Sequence, residues 1–149
     1  MSGLPSEKTF VWPVRVYYED TDSGGVVYYA NYLKFMERAR TEWLRSVGVE
    51  QDALIKDENV IFAVRHATVE YIKPARFNDA LVVVTSMSAM GKVSFTFEHE
   101  IYLQPEYANV GELAPLLCSG VVKVASLNSE TFKPTHIPSH LVMELKGAN

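Results

Sequence analysis

Two aspartates that are separated by a single residue are the side chains in this sequence that are best suited to do chemistry. Asp20 and Asp22 lie in the polar run of residues 19–25, which ends in paired glycines and is typical of a loop. An aspartate in a loop can act as a general base, a nucleophile or a metal ligand. It can also be a turn residue whose carboxylate accepts hydrogen bonds from nearby backbone N–H groups, and that role is the commonest.

The segment after this loop predicts a helix whose first turn favours a catalytic role. Apolar residues recur at spacings of three and four over residues 29–47, and Gly48 follows where a helix would end. A helix N-terminus offers unpaired N–H donors and partial positive charge, which suit a developing oxyanion. Gly24 and Gly25 would let a ligand approach the backbone closely. A carboxylate beside such donors favours acyl transfer or hydrolysis.

The rest of the chain predicts strands that would hold this loop and helix in place. Runs of alternating or β-branched residues occur at residues 14–18, 60–72, 81–90, 93–103 and 116–127. Short connections between the last strands favour antiparallel pairing, and only one long helix is available to cover the sheet. We therefore expect an α+β protein with a five-stranded antiparallel sheet wrapped around one long helix. Its exposed edges would invite pairing with a second copy.

Composition restricts both the size and the partners of the protein. A chain of 149 residues, 48% of them hydrophobic, suits one domain, expected to span residues 1–149 with a core at residues 10–130. The tail, which contains Pro134 and Pro138, is expected to be irregular. A net charge of −4 argues against nucleic-acid binding, and no apolar run reaches the ~18 residues of a membrane span. Because residues 1–8 lack the pattern of a secretory signal, a cytoplasmic location is expected.

The sequence YEDTDSGGVVYYANY at residues 18–32, followed by ERARTE at residues 37–42, carries a specific resemblance. It closely resembles the hotdog-fold acyl-CoA thioesterases of the 4-hydroxybenzoyl-CoA thioesterase group, and most of all their YbgC-type, Tol-Pal-associated branch. The resemblance implies a single hotdog domain that hydrolyses acyl-CoA thioesters to free acid and CoA without a cofactor. It places the catalytic carboxylate, as nucleophile or general base, at Asp22. The backbone N–H of Tyr29 would be the oxyanion donor.

The resemblance also implies which residues contact the substrate. These are Gly24, Gly25, Val26, Val27 and Tyr28 in the loop, with Lys92 near the phosphates of CoA. One position departs from the family pattern, because many YbgC-type sequences have histidine where this chain has Tyr29, and an ordinary tyrosine with a pKa of about 10 is a poor base. Further cations that could attract the anionic CoA are Arg65, Lys73, Arg76 and Lys123. We expect no metal, because only Glu19 adds an acidic ligand to the two aspartates.

The other residues with reactive side chains favour structural roles. Cys118 falls in a predicted strand, where a buried thiol is expected. His99 falls on the apolar face of its strand and is expected in the core. Pro138 separates His136 from His140 and argues against a metal site on a helix.

Two alternative functions stay open beside hydrolysis. A hotdog dehydratase acting on hydroxyacyl thioesters would need a histidine, and only His66 could be recruited. A non-catalytic partner that binds acyl thioesters or acyl carrier protein in an envelope complex would keep the fold without the chemistry. In each case a homodimer or homotetramer is expected. The acyl chain length, an aromatic preference and the choice between CoA and acyl carrier protein stay open.

Overall fold

A five-stranded antiparallel sheet and one long helix form the frame of the molecule, as predicted. The computed structural model describes residues 9–104 and 114–146, so the predictions for residues 1–8 and for the end of the tail at residues 147–149 lie outside the described residues. The strands are β1 (Thr9–Arg15), β2 (Val60–Tyr71), β3 (Ala80–Met90), β4 (Ser94–Leu103) and β5 (Leu116–Asn128), and the helices are α1 (Asn31–Ser46), α2 (Gln51–Glu58) and α3 (Ser139–Leu145). The strand order is β1-β3-β4-β5-β2, and every neighbouring pair is antiparallel. None of these described helices is long and apolar enough to cross a membrane.

Helix α1 packs its apolar face onto the sheet and forms the centre of the core. Phe35, Met36 and Ala39 are fully buried there. Gly120 in β5 lies directly against Met36, and a Cβ at this position would come within 2.8 Å of the Met36 sulfur. Helix and strand approach so closely at this point that β5 has no room for a side chain unless Met36 moves.

The first strand begins and ends earlier than the sequence predicts. A strand is expected at residues 14–18, but β1 covers Thr9–Arg15, and Tyr18–Asp20 form a 3₁₀ turn instead. The carboxylate of Asp20 accepts a hydrogen bond from the N–H of Tyr17 at 2.8 Å, which turns the chain away from the sheet. The strand therefore ends early because Asp20, which lies beyond residues 14–18, accepts a hydrogen bond from the backbone N–H of Tyr17.

Strands β1 and β2 are the two edges of the sheet, and they differ in how open they are. β1 contains Pro13, which has no N–H and so makes that edge a poorer pairing surface. β2 is longer and is exposed over residues 64–68, with a register shift between Val64 and His66. Of the two edges, β2 is therefore the better surface for a second copy.

The tail contradicts the expectation of irregular structure. Pro134 pairs with Leu127 in an isolated bridge, and α3 follows with Pro138 as its N-terminal cap. Leu141 and Leu145 lie four residues apart on this helix and are 0% and 1% exposed, which places it in the core. Both prolines precede the helix, where proline removes no helical hydrogen bond, so they do not prevent it.

Removing the buried contact of α3 should destabilise the whole domain. We expect Leu141→Ala to lower the free energy of unfolding by about 2–5 kcal/mol, because truncating a fully buried leucine leaves a cavity. Met143 is 61% exposed on the same helix, so Met143→Ala is the matched control and should change this free energy by less than about 0.5 kcal/mol. Urea denaturation followed by circular dichroism measures both. Equal effects would show that α3 does not pack as part of the core.

Candidate active site

The loop after the 3₁₀ turn is a narrow hairpin held by its own backbone. Thr21 and Val27 pair across it. The N–H of Asp22 donates to the carbonyl of Val26 at 2.9 Å, and the carbonyl of Asp22 accepts the N–H of Gly25 at 3.0 Å. Gly25 has a φ of 81°, a left-handed conformation that glycine adopts without strain. The second glycine of the pair is therefore required by the turn itself.

Asp22 presents its carboxylate to solvent on this hairpin. Its Oδ1 accepts a hydrogen bond from the N–H of Gly24 at 2.8 Å, which orients the carboxylate. A Cβ at Gly24 would come within 3.3 Å of the same oxygen, so a side chain there would press on it. Oδ2 has no hydrogen-bond partner among the described residues, which leaves it available to a water molecule or a substrate.

The carbonyl of Asp20 ties the hairpin to the start of α1. This oxygen accepts hydrogen bonds from the N–H of Tyr28 and from the side-chain amide of Asn31, both at 2.9 Å. Asp20 and Asn31 are 7% and 8% exposed, so these bonds are protected from water. The carboxylate of Asp20 is used by Tyr17, which fits a turn residue and not a catalytic one. Sequence reasoning missed Asn31, although a polar residue at the head of an apolar stripe is a signal for such an anchor.

The backbone just ahead of α1 has two N–H groups available to a ligand. The N–H groups of Asn31, Tyr32 and Leu33 donate to carbonyls within the first turn, at 2.8, 3.4 and 3.2 Å. Those of Tyr29 and Ala30 donate to no acceptor in the part of the chain that the structure describes. Such groups at a helix N-terminus can stabilise negative charge that develops on a carbonyl oxygen. The expected donor at Tyr29 thus lies ahead of the helix, with a second donor beside it.

Tyrosine rings form the wall of an open cleft next to these donors. The cleft has a volume of about 230 Å³ and is lined by Tyr29, Tyr32, Tyr71, Ile72, Lys73 and Pro74. The hydroxyl of Tyr32 accepts the N–H of Ala75 at 3.0 Å, and burial raises the pKa of both Tyr32 and Tyr71. These two rings therefore stay protonated at neutral pH and form walls of the cleft. Tyr29 is 60% exposed, and its ring packs edge-on against the ring of Tyr71, with 6.0 Å between the two ring centroids.

Lys92 does not lie beside Asp22 within one chain. Lys92 lies two residues after Met90, the last residue of β3, whereas Arg15, which leads into the hairpin, pairs with Ala80, the first residue of β3. At about 3.3 Å per residue, the two ends of this strand are roughly 33 Å apart. The turn that carries Lys92 is therefore at the opposite end of the sheet from the hairpin.

Lys73 and Arg76 are the predicted cations that lie next to the hairpin. Arg76 pairs with Val26 in an isolated bridge, and the N–H of Val27 donates to the carbonyl of Ala75 at 2.8 Å. Lys73 lines the tyrosine cleft. The other two candidates lie within the sheet, Arg65 in β2 and Lys123 in β5.

The other reactive side chains have structural positions. Cys118 is buried, as expected, and burial raises the pKa of its thiol to about 12, so it is not a nucleophile at neutral pH. His136 precedes Pro138, while His140 lies in α3 and contacts Glu58 at 3.0 Å, so the two histidines do not share a helix. Within residues 9–104 and 114–146, no group of three or more histidine, cysteine, aspartate or glutamate side chains could hold a metal ion.

His99 lies in the core, as expected, and forms a buried polar unit with a residue that the sequence does not single out. Its Nε2 accepts a hydrogen bond from Nη1 of Arg40 at 3.0 Å, and its Nδ1 lies 2.9 Å from Oγ1 of Thr85. Because a guanidinium only donates, the proton of the neutral ring is on Nδ1, which donates to Thr85. Burial, and after it the charge of Arg40, lower the pKa of His99 to about 3.

His99 should make the domain less stable in acid. The folded ring has a pKa of about 3, against 6.5 when unfolded, so the unfolded state binds more protons between these values. The free energy of unfolding therefore falls as the pH drops below about 6.5, by up to about 1.4 kcal/mol per pH unit. Urea denaturation across this range measures the slope. His99→Gln should flatten it, whereas the exposed His66→Gln should not. An unchanged slope in His99→Gln would assign the acid sensitivity to other groups.

Comparison with known proteins relates the chain to thioesterases. Residues 24–108 match the family model described as the thioesterase superfamily. The chain is 44% identical over 137 residues to the acyl-CoA thioester hydrolase YbgC of Escherichia coli O6:H1, covering 92% of this chain and 96% of that protein.

Solved structures have the same fold. A probable thioesterase from Bartonella henselae superposes with a TM-score of 0.76 at 34% identity, over 88% of this chain and 100% of that one. The complex of 4-hydroxybenzoyl-CoA thioesterase with 4-hydroxybenzoyl-CoA superposes with a TM-score of 0.82 at 14% identity, over 92% and 98% of the two chains. At this low identity the likeness concerns the fold alone, and it confirms the predicted hotdog architecture.

Proposed function

Because the chain belongs to the thioesterase superfamily and is an acyl-CoA thioester hydrolase, we propose that Asp22 supplies the carboxylate that acts on the thioester. The resemblance of residues 18–32 and 37–42 is confirmed at the level of the family, and the roles of single residues are our proposal. One observation carries it. The Asp22 carboxylate is oriented by Gly24, and its Oδ2 and the N–H groups of Tyr29 and Ala30 have no partners among the described residues. The Asp20 carbonyl joins these groups into one unit.

The reaction needs one carboxylate and one oxyanion site. As a general base, Asp22 takes a proton from a water molecule whose oxygen attacks the thioester carbonyl carbon. As a nucleophile, Asp22 attacks that carbon itself and forms a mixed anhydride, which water then hydrolyses. In both routes the N–H groups of Tyr29 and Ala30 stabilise the negative oxygen of the tetrahedral intermediate. In the general-base route the collapse of this intermediate breaks the C–S bond and gives the free acid. In the nucleophilic route the C–S bond breaks as the anhydride forms, and hydrolysis of the anhydride then gives the free acid and restores Asp22. In both routes CoA leaves as a thiolate that takes up a proton.

In this proposal the thioester lies at the hairpin and the CoA phosphates lie near Lys73 and Arg76. The hairpin residues that contact the substrate are Gly24, Gly25, Val26, Val27 and Tyr28. Lys92 reaches the same site only from a second copy of the chain, because the length of β3 separates it from Asp22 in one chain. A dehydratase is disfavoured, because the hairpin and the first turn of α1 contain no histidine.

The acyl donor and the assembly are further parts of the proposal. Acyl-CoA is the substrate that the relatives support, and acyl carrier protein is the alternative thioester donor. The open edge at β2 supports a homodimer, or a homotetramer of two such dimers. We also propose a cytoplasmic location, because the substrate is acyl-CoA.

Asp22→Asn removes the negative charge and keeps the size of the side chain. We expect kcat for acyl-CoA hydrolysis to fall by at least about 10²-fold, because an amide neither attacks the thioester nor accepts a proton at neutral pH. Glu19→Gln makes the same charge change at a neighbouring exposed position and should keep its activity. A thiol-release assay over short, long and aromatic acyl-CoAs measures turnover, and thermal melting shows that both variants are folded.

Full turnover by the folded Asp22→Asn protein would remove Asp22 from the mechanism. Formation of an enoyl thioester without thiol release would instead indicate a dehydratase. Tight binding of acyl thioesters by the unaltered chain, with no turnover across the panel, would indicate a binding protein.

Loss of Lys73 or Arg76 should weaken substrate binding and have little effect on the chemical step. We expect each alanine variant to raise KM by about two- to fivefold at low salt and by less at high salt, because exposed charges are screened. Lys56→Ala, on the exposed side of α2, is the control. Steady-state kinetics at two ionic strengths measure the effect. A lower kcat at unchanged KM would contradict a role in binding the phosphates.

A further inference from the structure

We propose that an open groove between α3 and the turn after β3 binds a free carboxylic acid with an apolar chain. The turn carries Lys92, so the groove lies at the opposite end of the sheet from the hairpin of the same chain. It is therefore a site separate from the tyrosine cleft. Its ligand belongs to the chemical class that an acyl-CoA hydrolase releases as product, and the inference goes beyond the hydrolysis itself.

The groove has the size and the apolar lining of a small-molecule site. Its volume is about 490 Å³, within the ~300–1,000 Å³ that is usual for such sites. Its apolar lining consists of Met90, Ile137, Val142 and Met143. Met90 and Val142 pack against the core, which anchors them, whereas Met143 is 61% exposed. Flexible methionine side chains adapt their shape to an apolar ligand, so this lining suits an alkyl chain.

Three basic side chains line the same groove. Lys92, His136 and Lys146 are exposed, and none of the three side chains has a hydrogen-bond or ion-pair partner in residues 9–104 and 114–146. The described lining includes no aspartate or glutamate. The groove is thus locally basic on a chain whose net charge is −4. This charge is complementary to an anion.

Helix α3 has one face in the core and another toward the groove. Its core face carries Leu141, which is fully buried. Val142, Met143 and Lys146 line the groove, and their spacings of three and four residues from Lys146 place them on one side of the helix. Glu144 is two residues from Lys146, about 200° around the helix, so the acidic residue of α3 points away from the groove. The groove face combines apolar side chains with a cation and no anion.

Backbone hydrogen bonds hold the two walls of the groove together. The N–H of Ile137, just before α3, donates to the carbonyl of Lys92 in the turn at 2.9 Å. Within the turn, the N–H of Gly91 donates to the carbonyl of Ser94 at 2.8 Å. Because these contacts exist without a ligand, the groove is formed in advance, and binding costs less ordering of the chain.

These features favour an acid with an alkyl chain over the other anionic partners. The described lining has no phenylalanine, tyrosine or tryptophan on which a nucleotide base would stack. A second copy that docked through the same groove would bring lysines against lysines, and like charges in an interface are unfavourable. A carboxylate with an alkyl chain satisfies both the cations and the apolar lining.

Methyl NMR on methionine-labelled protein tests the proposal at the groove itself. Octanoate should shift the methyl resonances of Met90 and Met143, whereas Met36, which is fully buried under α1, should not respond. Butyrate has the same head and a shorter chain, and we expect it to bind at least about tenfold more weakly, because four fewer methylene groups leave water. Octan-1-ol keeps the chain and lacks the charge, and it should bind about fivefold more weakly.

Charge reversal at the groove supplies the matched variants. We expect Lys146→Glu to raise the dissociation constant of octanoate, read at Met90 and Met143, at least about fivefold, because an attraction is replaced by a repulsion. Lys56→Glu makes the same change at an exposed position on α2 and should leave this constant unchanged. Both substituted positions are exposed, so both variants are expected to fold, and thermal melting checks this.

Absence of shifts at Met90 and Met143 in millimolar octanoate would overturn the proposal, and so would equal affinities of octanoate and octan-1-ol or of Lys146→Glu and the unaltered chain. Shifts that appear only with anionic phospholipid vesicles would show that the groove contacts a lipid surface instead. Shifts of Met143 on dilution without ligand would show that a second copy covers it. Thiol release is measured separately, so a protein that binds octanoate in the groove and hydrolyses no acyl-CoA would refute the hydrolase function alone.

Discussion

Two hydrogen bonds to one buried carbonyl hold the candidate active site together. The carbonyl of Asp20 accepts the N–H of Tyr28 and the amide of Asn31, and so joins the hairpin that carries Asp22 to the first turn of α1. A carboxylate on an independent loop would meet the helix terminus in many orientations, and most of them would be unproductive. Here the loop and the helix are one unit, and the burial of α1 against the sheet keeps that unit in place.

The sequence predicts the elements well where a repeating pattern decides the structure. The alternation in β4 places Phe95 and His99 inward, and both are buried. Prediction fails where one contact with a distant or unpatterned residue decides. β1 ends early because the Asp20 carboxylate accepts a hydrogen bond from the N–H of Tyr17. α3 forms because Leu141 is buried in the core. Neither contact is indicated by a repeating pattern of residues, either within residues 14–18 or in the tail.

The candidate site is predictable only in its local part. Asp22 and Tyr29 lie in one short run of sequence, so their spacing alone brings them to the same loop and helix start. The distance from Asp22 to Lys92 depends on which strands pair and in which direction, and the turn that carries the lysine does not reveal it. The contact of Arg40 with His99 joins residues 59 positions apart, and it depends on how deeply α1 is buried.

The proposed oxyanion donors are main-chain groups, and this affects how such a protein can diversify. A backbone N–H keeps its place when the side chain on the same residue changes, so position 29 can exchange one ring for another without losing the donor. A change of ring at position 29 would then alter the surface of the cleft and leave the proposed donor intact. If the proposal holds, substrate preference can change at Tyr29 without loss of the oxyanion donor, because the ring lines the cleft and the main-chain N–H carries the chemistry.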